Sequence, residues 1–140
     1  MNDRILLLDT HIWIWLVNGD RELLGSESLG HIEKAAGKSA LLLSAISAWE
    51  VAMLEAKGRL RLAGDCMDWV KTAIKVPGMS LCNITPEIAV NSSRLPGNFH
   101  GDPADRIIVA TAREKDVVLV TRDRRILEYG AEGYLSVMKA

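Results

Sequence analysis

The chain has 140 residues, of which 49% are hydrophobic and 25% are charged, and its formal net charge is −1. This length suits one domain with a buried core, and we expect residues 1–140 to form a single domain. The composition excludes a disordered chain, and the lack of a basic balance excludes a stand-alone DNA-binding domain.

The apolar stretch at residues 5–17 contains Asp9, Thr10 and His11. It is too short and too polar to span a membrane. Nor does it suit a signal peptide, because Asp3 offsets the charge of Arg4 and Asp9 interrupts the apolar segment. We therefore expect a cytoplasmic protein without membrane contact.

Short apolar runs alternate with helical patterns along the chain. A strand is predicted at 5–8, followed by helices at 12–17 and 26–36. A second strand at 40–43 precedes helices at 47–57 and 65–75, and a third at 79–84 precedes helices at 86–94 and 104–115. A strand at 117–120, a helix at 124–129 ended by Gly130, and a last strand at 134–138 complete the chain. The alternation predicts the α/β class, with a mostly parallel central sheet of four to five strands and helices on both faces.

Acidic residues follow these strands at positions that one edge of a parallel sheet would bring together. Asp9 ends the first strand, and Glu50 lies in the first turn of the helix after the second. Asp102 and Asp105 begin the helix at 104–115, and Asp123 follows the fourth strand. In open α/β sheets, ligands bind beyond the carboxyl ends of the strands, so these acids are candidate site residues.

Each acid also has a purely structural interpretation. Three of them fit helix N-caps: Asp9, Asp102 and Asp123. For Asp102 the N-cap is the preferred interpretation. Ser47-x-x-Glu50 matches a capping box, and Asp105 in a first turn is favoured by the helix dipole alone.

The joint placement of the acids favours a metal site. Two carboxylates ~5 Å apart repel by about 3 kcal/mol at an effective dielectric of ~20. Four of them would destabilise the fold or take up protons unless a cation lies among them. The candidate ligands are all oxygen atoms, which favours Mg²⁺, with Mn²⁺ as a substitute, over zinc. Such a site suits hydrolysis of phosphate esters, but these residues alone do not identify RNA as the substrate.

Four segments of the chain resemble PIN-domain nucleases, specifically VapC-type toxins of toxin–antitoxin pairs. They are LLLDTHIWIWLV (6–17), SAWEVAMLEAKGRL (47–60), LPGNFHGDPADRIIVATA (95–112) and LVTRDRRILEYG (119–130). The resemblance implies a PIN-like fold, with Asp9, Glu50, Asp105 and Asp123 as the catalytic, metal-binding acids. It also implies supporting roles for Thr121, Asp102 and His100.

The resemblance implies an Mg²⁺-dependent endoribonuclease that hydrolyses RNA with a metal-activated water and leaves 5′-phosphate and 3′-hydroxyl ends. It further implies a homodimer and a VapB-type antitoxin that lies in a groove. The candidate groove residues are Trp13, Trp15, Leu16 and Leu54. Trp13 and also Trp49 are expected to be core residues.

Basic residues cluster between positions 106 and 125. Arg106, Arg122 and Arg124 are the candidate RNA contacts among them, and Arg125 belongs to the same cluster. Charged clusters of this kind are also common on solvated surfaces.

Two other functions remain open. Asp9 fits the nucleophile of an aspartate-dependent phosphatase or phosphotransferase, although such sites usually have an acid where His11 stands. A non-catalytic α/β module that binds proteins would use the acids only as helix caps. His11 itself is not a candidate catalytic residue.

Overall fold

The computed structural model describes residues 4–140, so Asp3 lies outside the described part of the chain. The strands are β1 (Leu6–Leu8), β2 (Leu41–Ser44), β3 (Met79–Cys82), β4 (Val118–Thr121) and β5 (Val137–Lys139). The helices are α1 (Thr10–Asn18), α2 (Arg21–Leu24), α3 (Ser26–Gly37), α4 (Ile46–Ala56), α5 (Cys66–Ala73), α6 (Pro86–Ser92), α7 (Pro103–Lys115) and α8 (Arg124–Ala131).

The five strands form one sheet in the order β3-β2-β1-β4-β5, and every neighbouring pair is parallel. The chain builds the sheet outward from β1 in one direction, and then returns to place β4 on the other side of β1. The strand order therefore reverses between β1 and β4, where parallel α/β sheets form a crevice at their carboxyl edge.

Each face of the sheet packs against its own apolar cluster. Successive side chains in a strand point to opposite faces. Leu6 and Leu8 accordingly belong to one cluster, whereas Leu7 belongs to the other, together with Leu119 and Ile108. The α/β class and the prediction of helices on both faces are confirmed.

Two tryptophans predicted to be core residues have different environments. Trp13 is fully buried, and its Nε1 donates a hydrogen bond of 2.9 Å to the Ala73 carbonyl oxygen. The prediction for Trp49 is wrong, because its residue surface is 53% exposed. Ser47 and Val51, four residues apart, form the buried face of α4, and a residue midway between them points away from that face.

Two further differences from the predicted elements have local causes. The helix α2 was not predicted, because its four residues are too few for a periodic pattern. The helix α8 does not end at Gly130 but continues to Ala131. A Cβ atom at Gly130 would lie 2.6 Å from Cγ2 of Val137, so this glycine allows α8 to approach β5 closely.

No helix within residues 4–140 combines the length and the apolar character needed to cross a membrane. The helix α7, for example, has 13 residues.

We expect Gly130→Ala to destabilise the protein by about 1–3 kcal/mol, although alanine is the better helix former, because the new methyl group overlaps Val137. Urea unfolding measures this change. In a Val137→Ala background, where the remaining Cβ atom lies 3.2 Å from the new methyl group, the destabilisation should be clearly smaller. The matched control is Gly30→Ala in α3, where the added Cβ meets nothing within 4 Å. It should stabilise by about 0.5–1 kcal/mol. A stabilising Gly130→Ala in the native background would contradict the packing role.

Candidate active site

The predicted acids meet in one cleft of about 210 Å³ at the carboxyl edge of the sheet. The charged residues lining it, apart from His11, are Asp9, Glu50, Asp102, Asp105, Asp123 and Arg125. The segments that supply them are separated by up to about a hundred residues of chain, and the parallel topology brings them together. The predicted convergence of Asp9, Glu50, Asp105 and Asp123 is therefore found in the structure.

Three of these side chains are close enough to share one ion. Glu50, Asp102 and Asp105 each offer a carboxylate oxygen, and these atoms all lie within 4.8 Å of one another. Asp9 and Asp123 line the same cleft without belonging to this group. The sequence favoured a purely structural role for Asp102. In the structure, Asp102 is the N-cap of α7 and also belongs to this group of carboxylates.

Asp102 caps α7 as predicted. Its Oδ1 accepts a hydrogen bond of 2.9 Å from the backbone N–H of Asp105. The cap fixes the first turn of α7 and therefore the position of the Asp105 side chain, which is buried. One carboxylate of the group thus positions another.

Asp9 is buried at the end of β1 and held at both oxygens. Oδ1 accepts from the Thr10 N–H at 2.8 Å, and Oδ2 accepts from the Thr121 hydroxyl at 2.7 Å. His11 lies beside it, with Nδ1 3.7 Å from Oδ2 of Asp9. The His11 Nε2 accepts a hydrogen bond from the Arg122 backbone, which gives this ring a structural contact at the cleft.

Thr121 connects two of the acids through one hydroxyl group. The hydroxyl donates to Asp9, and it accepts a hydrogen bond of 2.9 Å from the backbone N–H of Asp123. Thr121 is fully buried at the end of β4. Its geometry fits the supporting position that the sequence resemblance implied.

Glu50 is held by Thr10 and not by a capping box. The Thr10 hydroxyl donates to Oε1 of Glu50 and lies 2.8 Å from the Ser47 hydroxyl. The helix α4 begins at Ile46, one residue before Ser47, so Ser47 is not its N-cap. The capping-box interpretation of Ser47 and Glu50 is therefore wrong. The contact that orients the Glu50 side chain is the hydrogen bond from Thr10.

Asp123 has a different partner for each of its oxygens. Oδ1 caps α8 by accepting from the backbone N–H groups of Arg125 and Ile126. Oδ2 lies 3.8 Å from a guanidinium nitrogen of Arg125, and the same nitrogen lies 3.8 Å from Oδ2 of Asp105. Asp123 is thus both an N-cap, as one interpretation held, and a residue of the cleft.

Three acids of the cleft have raised pKa values, and burial is the largest cause for each. Burial raises the pKa of Glu50 to about 7, and the nearby charges of Asp9 and Asp102 add to this, against the hydrogen bond from Thr10. Burial likewise raises the pKa of Asp105 to about 7, with contributions from Asp102, Asp9, Asp123 and Glu50. Burial also raises the pKa of Asp9, although His11 opposes the change. The folded protein is therefore under electrostatic repulsion that a cation would relieve.

The donor set fits a hard divalent cation. Glu50, Asp102 and Asp105 offer only carboxylate oxygens, and oxygen ligands favour Mg²⁺ or Mn²⁺ over zinc. Perturbed carboxylates in a cleft are also typical of functional sites.

The remaining predicted site residues have other contacts. The contact made by His100 is through its carbonyl oxygen, which accepts from Arg125 at 3.2 Å. Arg106 donates to the carbonyl oxygens of Ser92 and Phe99. Arg122 donates to those of Leu23 and Ala140, and Arg124 pairs with Glu128. None of these three arginines lines the cleft, and an RNA-binding role for them stays a prediction.

Thr10 and Arg125 make contacts with the acids of the cleft and were not among the predicted site residues. Thr10 holds Glu50, but a threonine after a strand-ending aspartate carries no specific signal in one sequence. Arg125 was assigned only to the basic cluster, since charge patterning does not tell which of several neighbouring arginines faces inward.

Comparison with known sequences identifies a family. A sequence model of the PIN domain matches residues 6–132. The chain is 35% identical over 123 residues to Ribonuclease VapC22 of Mycobacterium tuberculosis, which covers 86% of this chain and 88% of that protein.

Comparison with solved structures identifies the same fold. VapBC2 from Rickettsia felis, bound to a DNA fragment from its promoter, matches with a TM-score of 0.68 at 16% identity, over 96% of this chain and 97% of that one. A toxin–antitoxin complex from Klebsiella pneumoniae matches with a TM-score of 0.56 at 27% identity, over 84% of this chain and 86% of that one.

In EDTA, we expect the free energy of unfolding to fall as the pH rises from about 5 to 8. The folded protein holds protons on Glu50 and Asp105 up to about pH 7, whereas the unfolded chain loses them near the ordinary pKa values of 4.5 and 3.8. Stability from this source is therefore present at low pH and lost through pH 7. Urea unfolding at several pH values measures it.

The Asp105→Asn variant isolates the contribution of one acid. It should stabilise the metal-free protein at pH 8, where the wild-type carboxylate is charged, and the gain should shrink at pH 5. Glu114→Gln, on the exposed end of α7, is the matched control and should show no such pH dependence. An Asp105→Asn variant less stable than wild type at both pH values would contradict the repulsion.

Proposed function

Because the chain belongs to the PIN domain family, we propose that it is a VapC-type ribonuclease that hydrolyses RNA with the help of Mg²⁺ at its acidic cleft. The observation that carries the proposal is the convergence of five carboxylates in a cleft where two of them have pKa values raised to about 7. The ribonuclease activity itself is supported by the 35% identity to Ribonuclease VapC22.

We propose that Glu50, Asp102 and Asp105 hold the metal, with Asp9 and Asp123 supporting it directly or through water. When bound, Mg²⁺ supplies Lewis-acid chemistry, which lowers the pKa of a water and offsets negative charge on the phosphodiester. The chain's own contribution is to keep these acids together against their repulsion, and a bound cation would favour their ionised forms. Mn²⁺ is the expected substitute.

The hydroxyl groups around the cleft fix the acids in orientation. Thr10 donates to Glu50, and Thr121 donates to Asp9 while accepting from the amide of Asp123. Preorganised ligands of this kind need little rearrangement when substrate binds. In the proposed reaction water attacks phosphorus and the 3′-oxygen leaves, so the products carry 5′-phosphate and 3′-hydroxyl ends; no 2′,3′-cyclic phosphate forms, because the RNA 2′-hydroxyl is not the nucleophile.

A toxin of this type requires a cognate inhibitor, and we propose a VapB-type antitoxin as the partner. The support is the fold shared with VapBC complexes and the 27% identity to a chain of the Klebsiella pneumoniae complex. Trp13 is removed from the candidate groove by its complete burial. Trp15, Leu16 and Leu54 are half-buried and stay candidates.

Expression of the chain should arrest growth, and co-expression of its antitoxin should restore it.

We also propose that the protein is a homodimer located in the cytoplasm, as the sequence resemblance implied. Light scattering on the purified chain measures its mass in solution. A monomer at micromolar concentration would contradict the dimer while leaving the cleft and its chemistry unaffected.

We expect Glu50→Gln to reduce the rate of RNA cleavage in Mg²⁺ by at least about a hundredfold. Glutamine can still accept the hydrogen bond from Thr10 and removes one of the repelling charges, so the fold should be at least as stable as that of the wild type. The measurement is single-turnover cleavage of total RNA, with mapping of the cleaved ends and a parallel reaction in EDTA.

The matched control is Glu55→Gln, which removes the same charge from α4 at a residue outside the lining of the cleft and should cleave at the wild-type rate. Cleavage by Glu50→Gln at the wild-type rate would favour a non-catalytic role for the acids. Products with 2′,3′-cyclic phosphate ends would rule out attack by water.

A further inference from the structure

Arg125 is the arginine of the basic cluster whose guanidinium lines the acidic cleft. One of its nitrogens lies 3.8 Å from Oδ2 of Asp105 and 3.8 Å from Oδ2 of Asp123. The other terminal nitrogen donates to the His100 carbonyl oxygen at 3.2 Å, which ties the side chain to the loop before α7. The positive charge therefore lies between two of the site's acids.

The two oxygens of Asp123 are both engaged in this arrangement. Oδ1 caps α8 and Oδ2 faces Arg125. A cation entering between Asp105 and Asp123 would meet the guanidinium group there. Glu50, Asp102 and Asp105 offer carboxylate oxygens within 4.8 Å of one another, and Arg125 pairs with Asp105 and Asp123 instead of with Glu50 or Asp102.

We propose that Arg125 acts as a resident cation of the cleft, so that the chain binds one divalent ion, at Glu50, Asp102 and Asp105, and Arg125 stands in place of a second. This inference rests on the proposed metal-dependent function, because it concerns how the same site is filled. Arg125 is on this account a positioning residue, which acts through Asp105 and Asp123.

The neighbouring Arg124 provides a matched control. It lies one residue away on α8 and carries the same charge, and it pairs with Glu128 on the surface instead of lining the cleft. A substitution there changes the net charge of the protein equally without changing the cleft. Arg125→Lys keeps the positive charge but replaces the planar guanidinium with a compact ammonium group.

The experiment counts Mn²⁺ ions bound to the metal-free protein by electron paramagnetic resonance of the free ion, without RNA. We expect one ion per chain for wild type, Arg124→Ala and Arg125→Lys. For Arg125→Ala we expect two, with the second affinity within roughly tenfold of the first, because the competing charge has been removed. Circular dichroism checks that each variant is folded, and Arg125 is more than half exposed, so its removal leaves no buried gap.

The outcomes separate this inference from the proposed function. Two ions on the wild type, or one ion on Arg125→Ala, would overturn the role of Arg125. No Mn²⁺ on any of the four proteins would overturn the metal-dependent function and this inference together. If the ion counts are as expected but the wild type does not cleave RNA, the role of Arg125 is supported and only the nuclease activity is overturned.

Discussion

Carboxylates that share a partly buried cleft repel each other, and the structure is arranged to hold five of them together in spite of this. Removal from water disfavours their charged forms, and each neighbouring acid adds to the cost. The compensation within the described residues comes from two threonine hydroxyls, backbone N–H groups at the helix starts, the His11 ring beside Asp9 and one guanidinium group. Proteins retain strain of this kind where a ligand relieves it, and a divalent cation is the ligand that matches these oxygens.

The parallel sheet explains why the acids meet at all. Because every strand runs in the same direction, the residues that follow β1, β2 and β4 emerge at one edge, and the order reversal between β1 and β4 opens a crevice there. The helix caps then determine the direction in which the capping acidic side chains point within that crevice. Asp102 and Asp123 satisfy backbone N–H groups with one oxygen each and still line the cleft, so capping a helix and lying in the cleft are compatible for both residues.

The sequence was sufficient for the fold class and for the position of the acids along the chain, because both depend on local patterns. Buried strands such as Val118–Thr121 are continuous apolar runs, and Asp102-Pro103 marks a helix start. What it could not provide were facts set by tertiary contacts. The exposure of Trp49 depends on which face of α4 packs against the rest of the domain, and the approach of Gly130 to Val137 depends on how α8 packs on β5. The bond from Thr10 to Glu50 joins residues that are 40 positions apart. Arg125 could be separated from Arg124 only once the start of α8 was seen beside the cleft.

The position of β4 beside β1 also determines when this cleft exists during synthesis. Asp9 is made early, but Thr121, which orients it, and Asp123 come more than a hundred residues later. A nascent chain still short of these positions has neither the central strand pair nor the crevice, because contacts so distant in sequence form only when the whole domain folds. The cleft, and any chemistry that it supports, is therefore absent from a nascent chain until the segment that ends with Asp123 has been made and has folded.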